Sequence, residues 1–592
     1  MKSCRAGERK LVIRRSLPDR VMAAAAQAKE VGMPSLNWIG KEAVEHHHKE
    51  VPYRLVHCDG DLSAGDTDAG NLLVQGDNLE ALKALLPYYA GEVKCIYIDP
   101  PYNTGNEGWI YNDNVSSPEM RAWLGQVVGK EAEDLSRHDK WLCMMYPRLR
   151  LLRDFLREDG VVAVSISDAA VHLLKMLMNE IFGERNFIAE VITETNVRGQ
   201  TYKAIARTHE YLLIYGRSEA VELAEISDLD RAFPYKDVRG GYELWELRNR
   251  NPRFNRANRP NLYFPLYAEP VPFEKDHHRL TLFRTSTSQI EIFPVDGDGT
   301  DGCWRWSQEL IKKKVLDTDA PDLVGRMVRS GKWTVYQRAR KNTKSAKSIF
   351  KGSEYLNEAG TTLLTSMGLR GKFDHPKPLG LIRTVIELAT EDGDLILDSF
   401  AGSGTTGHAV LDLNKQENGG RRFILVEMKH DIAEKVTAER LRLAITGYDK
   451  GGDGTKPVPA LGGGFRYCRL GVPLFNEFGD INGEVSFADL AAHVFFVETG
   501  LPIPAKAQVG NPYLGKHGEK AVYLLYTQGL EGTPREALGN VLTPDALVAL
   551  PPSPEGFDGI RVVYAEGTTV SHDRLKAEGV VFKQIPYQIA GV

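Results

Sequence analysis

The chain has 592 residues, 42% of them hydrophobic and 26% charged, with a net charge of −5; this is the composition of globular domains, not of a disordered or fibrous chain. No run approaches the ~20 apolar residues a membrane helix needs, and "VMAAAA", behind the basic N-terminus (Arg5, Arg9, Lys10, Arg14, Arg15), is too short for a signal peptide. Cysteines 4, 58, 95, 143, 303 and 468 contain no CxxC pair, so scattered free thiols and a cytoplasmic location are expected, without a metal site; His46–His48 reads as a solvated helix end.

The length allows about three to five domains. In chain order, "LLVQ" (72–75) and "VKCIYI" (93–98) read as short buried strands, with "NLEALKALLPYY" helical between them. "WLCMMYPRLRLLRDFLRE" has helical spacing and ends at "DG". The continuous apolar run "VVAVSI" then suits a parallel strand covered on both faces. A helix over "AAVHLLKMLMNEIFG" and strands over "NFIAEVIT" and "EYLLIYGR" follow. Much later, "DLILDSF" and "RFILVEM" are strands flanking a helix that starts near Thr405. Alternating strands and helices predict an α/β, doubly wound, mostly parallel Rossmann-like sheet. Its two halves, residues 61–220 and 370–448, flank an inserted domain at 221–369. An N-terminal extension (1–60) and a small α+β C-terminal domain (449–592) complete the expected layout; in the latter "HVFFVETG" and "KAVYLLY" look like strands.

Charge is unevenly spread. Residues 326–351 hold nine Lys or Arg and no acid, and residues 231–260 hold eight against three acids. Residues 461–592 hold ten basic against fourteen acidic side chains. A basic middle in a near-neutral protein, with Trp333, Tyr336 and Phe350 interleaved, predicts a nucleic-acid surface. Arg338, Arg340 and Lys341 are the first candidates, and Arg250 and Arg253 in "RNRNPRFNRANRP" the next.

Two motifs carry chemistry. In "IYIDPPYNTG" (96–105) two prolines stop the strand after Asp99, because they lack N–H donors and restrict the preceding residue to extended backbone. Pro100 and Pro101 thus hold one carboxylate and the Tyr102 ring in a stiff turn. In "DSFAGSGTTG" (398–407) Gly402, Gly404 and Gly407 satisfy G-x-G-x-x-G after a strand, and Glu427 ends the next strand where a ribose-binding acid belongs. His408 replaces the lysine of a phosphate-binding P-loop, and the chain contains no such loop elsewhere. Both motifs extend from one predicted sheet, so both can face one crevice. There Asp99 and a backbone carbonyl could accept the two protons of an exocyclic amine while Tyr102 stacks on the base.

With these residues in view, the chain resembles the β-class amino DNA methyltransferases, in which a catalytic Asp-Pro-Pro-Tyr precedes the target-recognition domain and then the cofactor motif. The likeness is closest to the modification (Mod) subunits of type III restriction-modification systems, in "IYIDPPYNTGNEGWIYND", "RLRLLRDFLREDGVVAVSISD" and "MNEIFGERNFIAEVI". It covers residues 37–475. It implies transfer of a methyl group from S-adenosylmethionine to adenine N6 in double-stranded DNA by base flipping, with Asp99, Pro100, Pro101 and Tyr102 catalytic. It implies cofactor contacts from Asp77 and Asn78 in "GDNLEAL", from Lys377 and Pro378 in "DHPKPLGLIRTVI", and from Asp398, Phe400, Ala401, Gly402, Gly404, Thr405 and Glu427. Ser167 and Asp168 would border the target pocket or simply end the strand "VVAVSI"; the run after Asp113, "NVSSPEMRAWLGQVVGKEAEDLSRHD", departs from the family's pattern with extra acidic and polar residues and is expected to be a loop over the substrate. A homodimer with a separate restriction or helicase subunit is the implied assembly. Cytosine N4 methylation, a catalytically silent DNA-specificity subunit and a nicotinamide oxidoreductase remain the alternatives.

Overall fold

The computed structural model describes residues 36–592 except 104–124, 126–135, 198, 200–203, 229–230, 296–297, 315, 317, 451–453, 529–533, 553–556 and 587–592. The basic N-terminus and most of the expected substrate loop therefore lie outside the described residues. The chain divides into two compact units, Glu225–Ala346 and the remainder.

The larger unit is built on ten strands: β1 (Arg54–Gly65), β2 (Leu72–Gln75), β3 (Val93–Ile98), β4 (Leu156–Ile166), β5 (Phe187–Glu194), β6 (His209–Gly216), β7 (Ile349–Phe350), β8 (Leu395–Asp398), β9 (Arg422–Glu427) and β10 (Gly464–Pro473). They lie in the order β1-β10-β2-β9-β8-β3-β4-β6-β5-β7. The centre, from β10 to β4, is parallel; β6 is antiparallel to both neighbours and β1 to β10. The helices that bear on the site are α1 (Asn78–Tyr89), α2 (Arg137–Phe155), α3 (Val171–Phe182), α4 (Leu379–Ala389) and α5 (Thr405–Glu417). All six residues of β3 are buried, as a strand covered on both faces requires. Ile96 and Ile98 join a core with α1, α2 and α3, while α4 and α5 pack on each other, α4 against β3 and β4, and α5 against β9.

The connection from β3 through α2 leads to β4 on one side, and that from β8 through α5 leads to β9 on the other. The order therefore reverses between β3 and β8, which pair directly, Ile396 with Cys95 and Leu397 with Ile96. Such a switch point opens a crevice at the carboxyl ends of the strands.

The structure differs from the sequence reading in four places. The expected N-terminal extension and C-terminal domain each contribute a strand to the main sheet, β1 and β10, so neither is cleanly separate from it. Cys58 and Cys468, 410 residues apart, are directly opposed there and joined as a disulfide, where free thiols were expected. Residues 347–369 return to the large unit, because β7 pairs parallel with β5. "HVFFVET" is the second half of a helix, Phe487–Thr499, capped by Ser486 and ended by Gly500 at φ 72°; a short apolar run alone does not separate a buried helix from a strand. "KAVYLL" does form a strand, Lys520–Leu525, in a four-stranded sheet near the C-terminus. No helix among the described residues is long and apolar enough to cross a membrane.

The smaller unit is a seven-stranded antiparallel sheet. Its core gathers Leu247, Phe264, Leu266, Leu280, Trp304, Leu323 and Val335. The basic run 326–339 is a hairpin in this sheet, Leu323–Met327 against Trp333–Ala339, so its side chains alternate between the two faces.

Candidate active site at the reversal of strand order

Asp99 follows β3 and Ser399 follows β8, so the two motifs leave neighbouring parallel strands at the same end. Three contacts fix the Asp-Pro-Pro-Tyr turn. Trp141 Nε1 on α2 donates to the Pro101 carbonyl at 2.6 Å. The Tyr102 hydroxyl donates to Glu210 Oε2 on β6 at 2.8 Å. Lys377 contacts the same hydroxyl and lies 4.6 Å from the centre of the Tyr102 ring.

Lys377 Nζ also reaches Glu210 Oε2 at 2.6 Å and Asp99 Oδ1 at 3.4 Å. Burial pushes the Asp99 carboxyl up and Lys377 opposes it. Burial works in the same sense on Glu210, but Lys377 and hydrogen bonds from Tyr102 and Asn357 outweigh it and hold Glu210 below its ordinary range. Lys377 loses from burial and gains more from Asp99 and Glu210, so it stays above its ordinary value. The resemblance placed Lys377 on the cofactor; the fold turns its side chain to the catalytic turn, while its backbone carbonyl accepts from the Thr405 hydroxyl at 3.3 Å. Pro378 is buried at the start of α4.

The cofactor loop is held from below. Gly402 and Gly404 have φ of 52° and 78°, a region open to glycine at little cost. Glu427 is 2% exposed; its Oε2 accepts the Gly402 N–H and its Oε1 the Lys429 N–H, each at 2.9 Å. Asp398 accepts the Phe400 N–H at 3.0 Å and the Thr406 hydroxyl at 2.5 Å, and burial pushes its carboxyl up to about 7. The fully buried Arg440 donates to Ser403 Oγ at 2.9 Å and Thr405 Oγ1 at 2.8 Å. Phe400, Ala401, Gly402 and Thr405 line a narrow cleft shared with Asp99 and Lys377.

Asp77 caps α1 through the N–H groups of Leu79 and Glu80, and Asn78 donates to the Ser399 carbonyl at 3.2 Å. Buried Arg148 on α2 holds both, pairing with Asp77 at 3.1 Å. Ser167 is buried at the end of β4 and Asp168 pairs with Arg207 at 2.9 Å. Sequence reasoning missed Glu210, Arg148, Trp141 and Arg440. Glu210 had one visible signal, a lone acid opening the otherwise apolar "EYLLIYG".

Gly404→Val tests the loop. The substitution forces a β-branched residue to φ 78°, at about 1–3 kcal/mol, and sets Cβ 3.0 Å from Thr437 Cγ2. Thr437 itself holds the Gly402 carbonyl at 2.6 Å. Calorimetry should show S-adenosylmethionine affinity falling at least about tenfold, a loss of ~1.4 kcal/mol, with Gly404→Asn milder because asparagine tolerates this backbone.

The basic candidates separate sharply. Arg338 is a correction: its side chain is 0% exposed, paired with Asp237 at 2.8 Å and Glu274 at 2.6 Å, because it packs against the Tyr242 and Phe273 rings. Arg340 also pairs with Asp237, at 2.6 Å, and Lys341 with Glu225, at 2.5 Å. Arg250 stays 76% exposed beside Glu246, and Arg253 is exposed. Arg338→Met should therefore unfold the smaller unit more readily, by about 3–5 kcal/mol for a buried pair stripped of one partner, as denaturant titration will show. Arg250→Gln with Arg253→Gln should leave stability unchanged and flatten the salt dependence of DNA binding by up to about two units of slope.

A family profile described as DNA methylase matches residues 93–439. The type III restriction-modification enzyme EcoPI Mod subunit of Escherichia phage P1 is 32% identical over 428 residues, 68% of this chain and 64% of that subunit. This chain thus matches slightly under two thirds of that relative's length. The type II methyltransferase M.KpnI of Klebsiella pneumoniae is 32% identical over 375 residues, covering 63% of this chain and 84% of that enzyme. The EcoP15I Mod subunit of Escherichia coli is 28% identical over 440 residues, 68% of this chain and 66% of that subunit.

Proposed function

This chain belongs to the DNA methylase family, and on that premise we propose that it methylates adenine N6 in double-stranded DNA at a specific sequence, with S-adenosylmethionine as donor. The observation that carries this reading is the pairing of β3 with β8, which brings Asp99-Pro-Pro-Tyr102 and the glycine loop to one crevice. Residues on both sides of that crevice fit the two substrates. Glu427 ends β9 beside the loop, its carboxylate oxygens accepting the Gly402 and Lys429 N–H groups, at the place where a carboxylate would meet the ribose hydroxyls. Phe400, Ala401 and the glycines present backbone and an apolar surface to the cofactor. Asp77 and Asn78, fixed by Arg148, stand at the start of α1 as further contacts.

When bound, S-adenosylmethionine supplies an electrophilic methyl group on a sulfonium. The chain's own residues position the other partner. A base flipped out of the duplex stacks on Tyr102, and Asp99 accepts one amino proton. A neighbouring backbone carbonyl of the turn, which Trp141 fixes at Pro101, accepts the second. Two such bonds aim the nitrogen lone pair away from the turn. Most of the rate then comes from positioning.

The relatives named Mod subunits of restriction-modification enzymes support a division of labour in which a separate restriction subunit cleaves DNA and this chain recognises and marks it; a homodimer is our expectation for its assembly. Tritiated S-adenosylmethionine and duplex DNA, followed by digestion to nucleosides, test the chemistry. Label in N6-methyldeoxyadenosine supports the proposal. Label in N4-methyldeoxycytidine contradicts the choice of base, and no transfer with tight NAD binding contradicts the methyltransferase reading.

A further inference from the structure

Asp99 sits in a site that works against its own charge. Its side chain is 16% exposed, and Oδ1 is buried without an aligned hydrogen-bond donor. Among the described residues, the charged and titratable groups facing it are Lys377 before α4, Glu210 on β6, Tyr102 in the same turn, Tyr97 on β3 and Asp398 at the end of β8, and His375 lines the same cleft. Tyr97 spends its hydroxyl on Ser165 at 2.8 Å, and Asp398 and Glu210 are acids. Lys377 is the one lysine or arginine in this set of described residues. Its ammonium lies 3.4 Å from Asp99 and 2.6 Å from Glu210, and Glu210 is itself held by Tyr102 and Asn357.

We propose that Lys377 and Glu210 are positioning residues: Glu210 anchors the Lys377 ammonium against Asp99, and the ammonium keeps Asp99 a carboxylate that accepts the target amine. The role matters because a protonated Asp99 would carry an O–H donor on one oxygen and be a weaker acceptor on the other, and the amine would be held less firmly. This inference rests on the methyltransferase reading and deepens it, since it gives Lys377 a task on the base side of the crevice instead of on the cofactor.

The test is single-turnover transfer of tritiated methyl from S-adenosylmethionine to genomic DNA lacking N6-methyladenine, measured from pH 5 to 9 on the full chain, with calorimetry of cofactor binding alongside. Lys377→Met should raise the midpoint of the acid limb by about one to three units, the usual influence of an opposite charge at this range, with cofactor affinity within about threefold of wild type. Lys377→Arg, which keeps the charge, should restore the midpoint. Lys377→Gln, which removes the charge and keeps a polar side chain, should raise the midpoint alike and carries the test if Lys377→Met does not fold; Glu210→Gln should raise it by less, because loosening the ammonium is partly offset by removing a like charge near Asp99. An unmoved midpoint in Lys377→Met overturns the inference, and loss of cofactor binding with an unmoved midpoint returns Lys377 to the cofactor. A wild-type protein that transfers no label overturns the methyltransferase reading, and the inference with it.

Discussion

Asp99→Ala is expected to lower methyl transfer by at least about 10²-fold, the cost of misplacing one reacting group in an oriented site, while S-adenosylmethionine affinity stays close to wild type. The separation follows from position. Asp99 ends β3, and the loop that would hold the cofactor is braced by Glu427, Asp398, Thr437 and Arg440 on the other side of the strand reversal. The variant also removes the partner of Lys377 that lies at 3.4 Å, but leaves the Lys377–Glu210 pair at 2.6 Å to hold that charge, so the fold should survive. Single-turnover kinetics and calorimetry on the same preparation measure both quantities. A rate within tenfold of wild type would remove Asp99 from the catalytic role.

Glu427→Ala should have the second-largest effect, on binding and not on chemistry. The carboxylate accepts the Gly402 and Lys429 N–H groups inside the protein, and a buried donor left without its acceptor costs about 1–3 kcal/mol. Losing two, together with the proposed ribose contact, should weaken S-adenosylmethionine binding by at least about tenfold. Glu427→Gln should fall between, since its amide oxygen still serves one of the two donors. Equal affinities for all three proteins would show that the loop keeps its shape without the acid.

What could be read from the sequence followed from local rules. β2, α1 and β3 fall on "LLVQ", "NLEALKALLPYY" and "VKCIYI" residue for residue, because continuous apolar runs and a double proline mark their limits. The meeting of Asp99 with the glycine loop was legible too, since parallel strands of one sheet share an end. Glu210 and Lys377 were not legible as a pair. They are 167 residues apart, and no local pattern announces that β6 runs antiparallel and delivers its first acid beside the catalytic turn. Arg338 misled for a related reason. Counting charge treats every lysine and arginine as solvated, whereas Arg338 is covered by the Tyr242 and Phe273 rings, and its partners at Asp237 and Glu274 lie 101 and 64 positions away. The disulfide between Cys58 and Cys468 depends likewise on a strand register set by both ends of the chain.

The central claim is most directly tested by sequencing DNA, with detection of modified bases, from cells that express this chain alone and lack other adenine methyltransferases. The account predicts N6-methyladenine confined to one short sequence motif, absent when the expressed chain carries Asp99→Ala. Unmodified adenine throughout the genome, with or without N4-methylcytosine, would contradict it.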